Sequence, residues 1–295
     1  MDMDPRGVMV VCDDGAQRGP GRPPGRPEAL EQVANQPIAY HVLDALEGAG
    51  IEQVVVAAPS ELTGAVRECL TARKRPDGAR LQYVERDGPL NLSGALSLAA
   101  PVVGAAPCVV HLASGLLGEP LAPFVDLLRA DSPDMIVIVH QGIVADGHLS
   151  PAAREMLQVA ELDPDNPNLG VAGIWLFGPN GLRRASMAAP PVGGEVELTE
   201  LAERLAVAGR PVQVRLGDTW RRYAGDPLEL LEVNRLALDR LQAGACHSVN
   251  HGNQIEGRVQ IHESAVVRAS MIVGPTIIGP GAHIADAYIG PYTSV

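Results

Sequence analysis

Two adjacent carboxylates follow the first apolar segment of the chain. Asp13 and Asp14 come directly after residues 7–12 (GVMVVC), a β-branched run typical of a buried strand. Paired carboxylates at the end of a strand can recruit a metal ion, and two adjacent acids there are also typical of a turn cap. Residues 15–27 (GAQRGPGRPPGRP) are too rich in Gly and Pro for helix or strand and predict a loop.

Other residue types that could do chemistry have ordinary structural interpretations. Arg221 and Arg222 could bind an anion, but solvated surface positions are the usual place for such a pair. His111 lies in a predicted strand and His140 ends another, which favours core or strand-end histidines over catalytic ones. The four cysteines lack C-x-x-C spacing, so we predict reduced thiols and no metal site.

Strand-length apolar runs alternate with helix-length amphipathic segments up to residue 243. This alternation predicts an α/β fold with a mainly parallel mixed sheet covered by helices on both faces. The predicted strands are 7–12, 53–58, 79–85, 107–112, 134–140, 171–177 and 212–215. The predicted helices are 37–48, 61–70, 92–100, 121–130, 197–208 and 227–243.

The periodicity changes after about residue 250. Aliphatic residues then recur every five or six positions, so the pattern repeats every 17 residues: Ile261, Val267, Ile272, Ile278, Ile284, Ile289 and Val295. Helix and strand periods of 3.6 and 2 do not produce this spacing, which is typical of a β-helix of hexapeptide repeats. An uncovered end of such a stack favours a partner subunit, and a truncated chain is the alternative.

Charge and hydropathy exclude several classes of partner. The formal net charge of −12 argues against nucleic acid and anionic membranes, although a small phosphorylated ligand stays compatible with it. No segment approaches the roughly 20 apolar residues that span a bilayer. The short apolar run of the acidic N-terminus does not have the form of a signal peptide. We therefore expect a cytoplasmic protein.

Three stretches resemble one enzyme family in the same order along the chain. Residues 32–46 (QVANQPIAYHVLDAL), 193–214 (GGEVELTELAERLAVAGRPVQV) and 225–241 (GDPLELLEVNRLALDRL) resemble bacterial glucose-1-phosphate thymidylyltransferases. These are sugar-1-phosphate nucleotidyltransferases, and residues 269–295 resemble the repeats that follow the catalytic domain in their longer members. The resemblance implies a Rossmann-like nucleotidyltransferase domain over residues 1–245 and the start of a left-handed β-helix over residues 246–295.

The resemblance also implies how the family works. A Gly-rich turn cradles the nucleotide phosphates, an arginine and two lysines neutralise phosphate charge, and two aspartates hold Mg²⁺. In this chain the Gly-Gly turn matches Asp13 and Asp14, and the first lysine matches Glu28. The metal aspartates match Ser114 and Tyr223. The second lysine falls on Leu162 or Asp163, and the arginine on Arg18, Arg22 or Arg26.

In the same comparison, the residues that would contact the nucleotide base are replaced, whereas those of the sugar-contacting regions are retained. The glutamine that reads the pyrimidine matches Arg86, and a glycine beside the base matches Asn91. Residues of the sugar-contacting regions are retained as Asn168, Gly173, Glu195 and Thr199. Gly173 has packing in an apolar strand as its alternative role, and Thr199 has capping of a helix.

Three hypotheses follow from these replacements. The first is a catalytically degenerate paralogue that binds no cofactor and that regulates or scaffolds an active relative. It would do so in a homo- or hetero-oligomer formed through the β-helix. The second is an active enzyme that transfers a nucleotidyl group to a sugar 1-phosphate and uses Mg²⁺. The third is a sugar-phosphate-binding protein with altered chemistry. Under the first hypothesis, no residue has a catalytic role.

Overall fold

A seven-stranded mixed sheet organises the part of the chain before residue 243. The structure is a computed structural model that describes residues 4–12, 27–73, 78–141, 169–188, 198–242 and 252–295. The strands of this part are β1 (Arg6–Val10), β2 (Gln32–Val33), β3 (Gln36–Pro37), β4 (Gln53–Pro59), β5 (Arg80–Arg86), β6 (Cys108–Leu112), β7 (Gly115–Leu117), β8 (Met135–Gln141), β9 (Leu169–Phe177), β10 (Val212–Leu216) and β11 (Trp220–Arg222).

Helices lie on both faces of this sheet. In chain order they are α1 (Ile38–Gly48), α2 (Ser60–Ala72), α3 (Leu92–Val103), α4 (Ala122–Asp131), α5 (Gly181–Ala188), α6 (Leu198–Val207) and α7 (Pro227–Asp239), with a 3₁₀ turn at Glu28–Leu30. None of the helices described here has both the length and the apolar character that a membrane crossing requires.

The strand order β10-β8-β9-β6-β1-β4-β5 confirms the predicted α/β fold with a mainly parallel mixed sheet. β9 runs antiparallel to β6 and β8, and the other pairs of this sheet are parallel. Val10 of β1 pairs with Leu112 of β6, so the segments that follow these two strands leave the sheet at the same edge. This carboxyl edge is where open α/β sheets bind their ligands.

The β-branched runs are explained by burial on both faces of the sheet. Met9 and Val11 belong to a core cluster shared with α1, α2, α4 and α7. Val8 and Val10 belong to a second cluster shared with α3, α5 and α6. Because successive side chains of a strand point to opposite faces, a strand covered by helices on both sides needs an unbroken apolar run.

Several predicted element ends were wrong. The helix predicted to stop at residue 100 continues through Pro101 to Val103. The helix predicted to reach residue 243 ends at Asp239, and the Arg258 guanidinium hydrogen-bonds the backbone carbonyls of Asp239 and Leu241, which a helix end leaves without intrahelical partners. The short elements β2, β3, β7, β11 and α5 were not predicted at all.

Eight short strands follow in the C-terminal part, and each pairs in parallel with the strand 17 residues away. They are β12 (Gln254–Glu256), β13 (Val259–Ile261), β14 (Val266–Arg268), β15 (Met271–Val273), β16 (Thr276–Ile278), β17 (His283–Ala285), β18 (Tyr288–Ile289) and β19 (Thr293–Ser294). They form three sheets, β12-β15-β18, β13-β16-β19 and β14-β17. Pairs such as Gln254 with Met271 and Val266 with His283 have the predicted 17-residue offset.

The aliphatic side chains of these strands form a separate core. Val267, Ile272, Ile278 and Ile284 are buried together with Val259, while Ile261 and Ile289 pack against them partly buried. Val295, the last position of the predicted period, is instead 44% exposed. Its backbone carbonyl accepts hydrogen bonds from the Gly279 amide and from the Asn35 side chain.

Asn234 of α7 joins the part of the chain that contains the main sheet to these C-terminal strands. Its Oδ1 accepts the backbone N–H of Ala34 at 2.8 Å and the Ser294 hydroxyl at 2.9 Å. Ala34 lies in the turn between β2 and β3 with a positive φ of 46°, so this amide has a fixed direction. The Asn234 side chain therefore connects the turn between β2 and β3 to β19, the last of the C-terminal strands.

We expect the substitution Asn234→Ala to lower the free energy of unfolding by about 1–3 kcal/mol, because it leaves the Ala34 amide without its acceptor. Ser294→Ala is the matched control, since it removes only the hydroxyl contact and should lower stability by less than about 1 kcal/mol. Urea unfolding of both variants measures the difference. Equal losses in the two variants would contradict this role of Asn234.

Candidate functional site

The two positions matched to metal aspartates lie side by side at the carboxyl edge of the sheet. Ser114 lies in the turn between β6 and β7, and Tyr223 follows β11. The antiparallel pairing of β7 with β11 places Gly115 opposite Arg222. The Tyr223 backbone N–H donates to the Ser114 carbonyl oxygen at 2.9 Å. Two residues that are more than 100 positions apart in the sequence are thus in direct contact.

Arg222 contributes a positive charge at this point. Its Nε lies 3.4 Å from the Ser114 hydroxyl, and its side chain is partly buried. Arg221 and Arg222 are both partly buried, so neither side chain is fully solvated as the sequence predicts for such a pair. The Arg221 Nε lies 3.5 Å from a carboxylate oxygen of Glu232.

The Trp220 indole anchors β11 against the sheet. A Cβ atom at Gly115 would lie 2.3 Å from the Trp220 ring, and one at Gly173 would lie 2.5 Å from the same ring and 2.7 Å from Leu112. Trp220 is 3% exposed, and its indole N–H has no hydrogen-bond partner among the described residues. Packing therefore requires glycine at both positions, whether or not Gly173 also contacts a sugar.

His111 lies beneath this indole as a core residue. The centroids of the two rings are 5.6 Å apart. Burial lowers the pKa of His111 to about 4; the hydrogen bond to the Leu112 carbonyl opposes this shift, and the nearby Arg240 adds to it. A neutral imidazole at neutral pH packs against Trp220 without a buried charge.

The two positions matched to base recognition lie at the start of α3. Asn91 caps this helix, since its side chain accepts the Gly94 N–H at 2.9 Å. A Cβ atom at Gly94 would lie 3.1 Å from the Arg86 guanidinium, so Arg86 covers the first turn of the helix. Asn91 thus has a capping role that explains its residue type, and Arg86 as a base contact stays a prediction.

The remaining candidate residues are distributed as follows. Glu28 begins the 3₁₀ turn whose next two residues, Ala29 and Leu30, are buried. Thr199 lies in the first turn of α6, and its side chain lies outside the description. Five further candidates lie outside the described residues, as do the three loop arginines: Asp13, Asp14, Asp163, Asn168, Glu195, Arg18, Arg22 and Arg26.

The donors present at this edge do not suit a divalent metal ion. Mg²⁺ prefers carboxylate oxygens, whereas the Ser114 side chain is a hydroxyl, the Tyr223 side chain is a phenol buried in the core, and Arg222 supplies a cation. Within the described ranges no group of three or more His, Cys, Asp or Glu side chains could hold a metal ion. The described part of the site therefore does not fit the metal that the family resemblance implies.

Comparison with known proteins gives the class of this chain. A glucose-1-phosphate thymidylyltransferase of Streptomyces antibioticus is 30% identical over 292 residues, which cover 90% of this chain and 76% of the relative. A low-salt glycan biosynthesis nucleotidyltransferase of Haloferax volcanii is 27% identical over 306 residues, which cover 98% and 82%. The chain therefore belongs to the sugar-1-phosphate nucleotidyltransferase family.

Within that family, similarity to the glucose-1-phosphate thymidylyltransferases recurs. A second such relative, from Streptomyces griseus, is 27% identical over 273 residues, which cover 90% of this chain and 76% of the relative. A Bacillus anthracis crystal structure with sucrose, assigned to the same enzyme, shares the fold with a TM-score of 0.64 at 20% identity and covers 79% of this chain and 94% of its own. No protein-family profile matches the chain.

We expect Gly173→Ala to lower the free energy of unfolding by about 1–3 kcal/mol, because the new methyl group would overlap the Trp220 ring. Gly64→Ala in α2 is the matched control: nothing lies within 4 Å of its Cβ position, so it should be neutral or stabilise the helix by about 0.5–1 kcal/mol. Thermal or urea unfolding measures both variants. A fully stable Gly173→Ala protein would contradict the packing described for Trp220.

We expect the His111 imidazole to make the fold sensitive to acid. Its pKa is about 4 in the folded chain and about 6.5 when unfolded, so the unfolded state binds the proton first as the pH falls. The stabilising contribution, about 3 kcal/mol, is complete above pH 6.5 and is lost between about pH 6.5 and 4. His41, whose pKa is also lowered by burial, acts in the same direction.

Urea unfolding at a series of pH values measures this effect. His111→Asn should make the dependence shallower between about pH 6.5 and 4. The exposed His262 provides the control, since His262→Asn should leave the slope of the wild-type chain unchanged. Identical slopes for all three proteins would show that His111 does not carry the acid sensitivity.

Proposed function

We propose that this chain is a catalytically degenerate sugar-1-phosphate nucleotidyltransferase, acting as a regulatory or scaffolding subunit in sugar-nucleotide metabolism. The observation that supports this proposal is the contact between Ser114 and Tyr223. The positions that the resemblance gives to two metal aspartates meet in space as such ligands would, yet neither side chain carries a carboxylate. The proximity of these two positions supports the proposed location of the site, and their residue types support the proposed loss of its chemistry.

The missing carboxylates matter because of how nucleotidyl transfer works. The attacking phosphate and the α-phosphate of the nucleotide are both anionic, and a metal ion offsets their repulsion in the transition state. A serine hydroxyl and a tyrosine phenol are neutral at pH 7 and are poor Mg²⁺ ligands.

Active nucleotidyl transfer to a sugar 1-phosphate is the second candidate. The names of the Streptomyces and Haloferax relatives favour it, since they are those of nucleotidyltransferases. On this reading Mg²⁺ would bind through acids outside the described residues, with Asp13, Asp14 and Asp163 as candidates. Sugar-phosphate binding with altered chemistry is the third candidate, and Arg222 favours it because guanidinium groups bind phosphate oxygens.

We further propose that the C-terminal strands are the first coils of a left-handed β-helix, with the domain boundary near residue 245. The 17-residue offset of their pairing and the shared aliphatic core support this proposal. An association with an identical or related subunit through these coils is part of the same proposal. Tyr288, which is 65% exposed on β18, is an apolar side chain that such a contact could cover.

Pyrophosphate release from dTTP or UTP with glucose 1-phosphate and Mg²⁺ tests the proposed function. We expect the rate to equal that without protein, even at high protein concentration, because no metal would be held at the Ser114–Tyr223 edge. The Streptomyces antibioticus relative serves as the positive control in the same assay. Mg²⁺-dependent turnover that scales with this protein and disappears in Asp13→Asn/Asp14→Asn would contradict the proposal and support the second candidate.

A further inference from the structure

A cavity of about 370 Å³ lies at the amino edge of the main sheet. Arg6, Gln53 and Arg80 line it, and each is the first residue of its strand in the neighbouring parallel strands β1, β4 and β5. This edge is opposite to the carboxyl edge where Ser114 and Tyr223 meet. The volume lies within the range of pockets that hold small molecules, about 300–1,000 Å³. The cavity can therefore take a small ligand at a place separate from the candidate site.

The polar side chains of this cavity lie on one face of the sheet. The register of β1 with β4 places Arg6 beside Gln53, and that of β4 with β5 pairs Gln53 with Arg80. Because alternate residues of a strand share a face, Gln82 follows Arg80 on this face. Val55, two residues after Gln53, belongs to the core cluster shared with α3. The four polar side chains therefore lie on the face of the sheet that α3 covers.

Arg6 connects this face to the end of α3. Its Nη1 donates to the backbone carbonyl of Val102 at 2.7 Å and lies 3.4 Å from the carbonyl oxygen of Val103, the last residue of the helix. Val55 and Val102 give the cavity an aliphatic wall. Arg6 is thus engaged with the helix end and forms a fixed side of the cavity.

Arg80 and the two glutamines supply the groups that can bind a ligand. Within the described part of the chain, the side chains of Arg80, Gln53 and Gln82 make no hydrogen bond or ion pair. None of the described residues that line the cavity is acidic, although the chain has a formal net charge of −12. A guanidinium binds a carboxylate through two parallel N–H donors, and an amide offers both donors and an acceptor. These groups suit a small anion that also carries a hydroxyl group.

We propose that this cavity binds a small aliphatic 2-hydroxycarboxylate, with its carboxylate on Arg80 and its hydroxyl on the neighbouring Gln53 amide. One guanidinium balances the single charge of a carboxylate, whereas a phosphate ester carries a charge of about −1.5 to −2 at pH 7. An ammonium group in place of the hydroxyl would find no carboxylate in the described lining, which disfavours 2-amino acids. The aliphatic chain of the ligand packs on Val55 and Val102.

Titration of 4-methyl-2-hydroxypentanoate into the full chain, followed by NMR shifts of the protein, tests the proposal. At about 0.15 M salt, which screens loosely held surface anions, we expect a Kd of about 1 mM or lower. The corresponding amide, 4-methyl-2-hydroxypentanamide, has the same shape without the charge and should bind at least about tenfold more weakly. Leucine, which has an ammonium group in place of the hydroxyl, should bind more weakly as well.

Variants of the cavity identify the groups that bind the carboxylate. Arg80→Gln should weaken binding by about tenfold or more, because it removes the charge. Gln53→Glu should weaken binding similarly, since it places a carboxylate of this chain beside Arg80. Arg268→Gln removes the same charge from an exposed position of β14 and should leave the Kd unchanged. All three positions are exposed, and the melting temperature of each variant verifies that it folds.

Binding unaffected by Arg80→Gln, equal binding of the amide or of leucine, or no binding up to about 10 mM would overturn the proposal. Inorganic phosphate distinguishes the two kinds of anion: Arg80-dependent binding tighter than that of the carboxylate would overturn the assignment of a carboxylate ligand. The pyrophosphate-release assay concerns the opposite edge of the sheet, so either of its results leaves this test valid.

Discussion

The packing of the Trp220 indole on two glycines is the constraint on which the candidate site depends. Gly115 and Gly173 belong to different strands, and a Cβ atom on either would overlap the ring. With the ring in place, β11 pairs with β7, and Ser114 and Tyr223 are brought together at the carboxyl edge. A buried side chain with many close contacts is costly to displace, so this arrangement is rigid.

The main-chain contacts that form this site and the side chains that would bind a ligand there can change independently. The main-chain contact between Ser114 and Tyr223 does not depend on the side chains at these positions, so the carboxylates of an active enzyme can be replaced without disturbing the fold. Coordination of Mg²⁺, by contrast, depends on the oxygen ligands that side chains, waters and substrate phosphates supply. A chain can therefore keep the family fold over nearly its whole length while its metal ligands change.

The sequence predicted the features that depend on local periodicity. Apolar runs predicted the strands of the main sheet, because these strands are buried on both faces. The 17-residue period predicted the pairing of the C-terminal strands, because one inward-facing position recurs in each coil. Features set by tertiary contacts were missed. The strand containing Arg222 is three residues long and polar at two of them, so it has no apolar run to reveal it. The carbonyls at the end of α7 bind Arg258, about 20 residues further along the chain. The family resemblance supplied the positions of Ser114 and Tyr223, but only the fold brought them into contact.

The central claim is that no divalent metal binds beside Ser114 and Tyr223, and the chain contains a direct reporter of that edge. Its two tryptophans give two indole N–H resonances, one from Trp220 at the edge and one from Trp175 on the opposite face of the sheet. Titration with the paramagnetic ion Mn²⁺ in the presence of dTTP would broaden the resonance closer to a bound ion first. The account predicts that neither resonance broadens ahead of the other. Selective broadening of the Trp220 resonance would place a metal ion at this edge and contradict it.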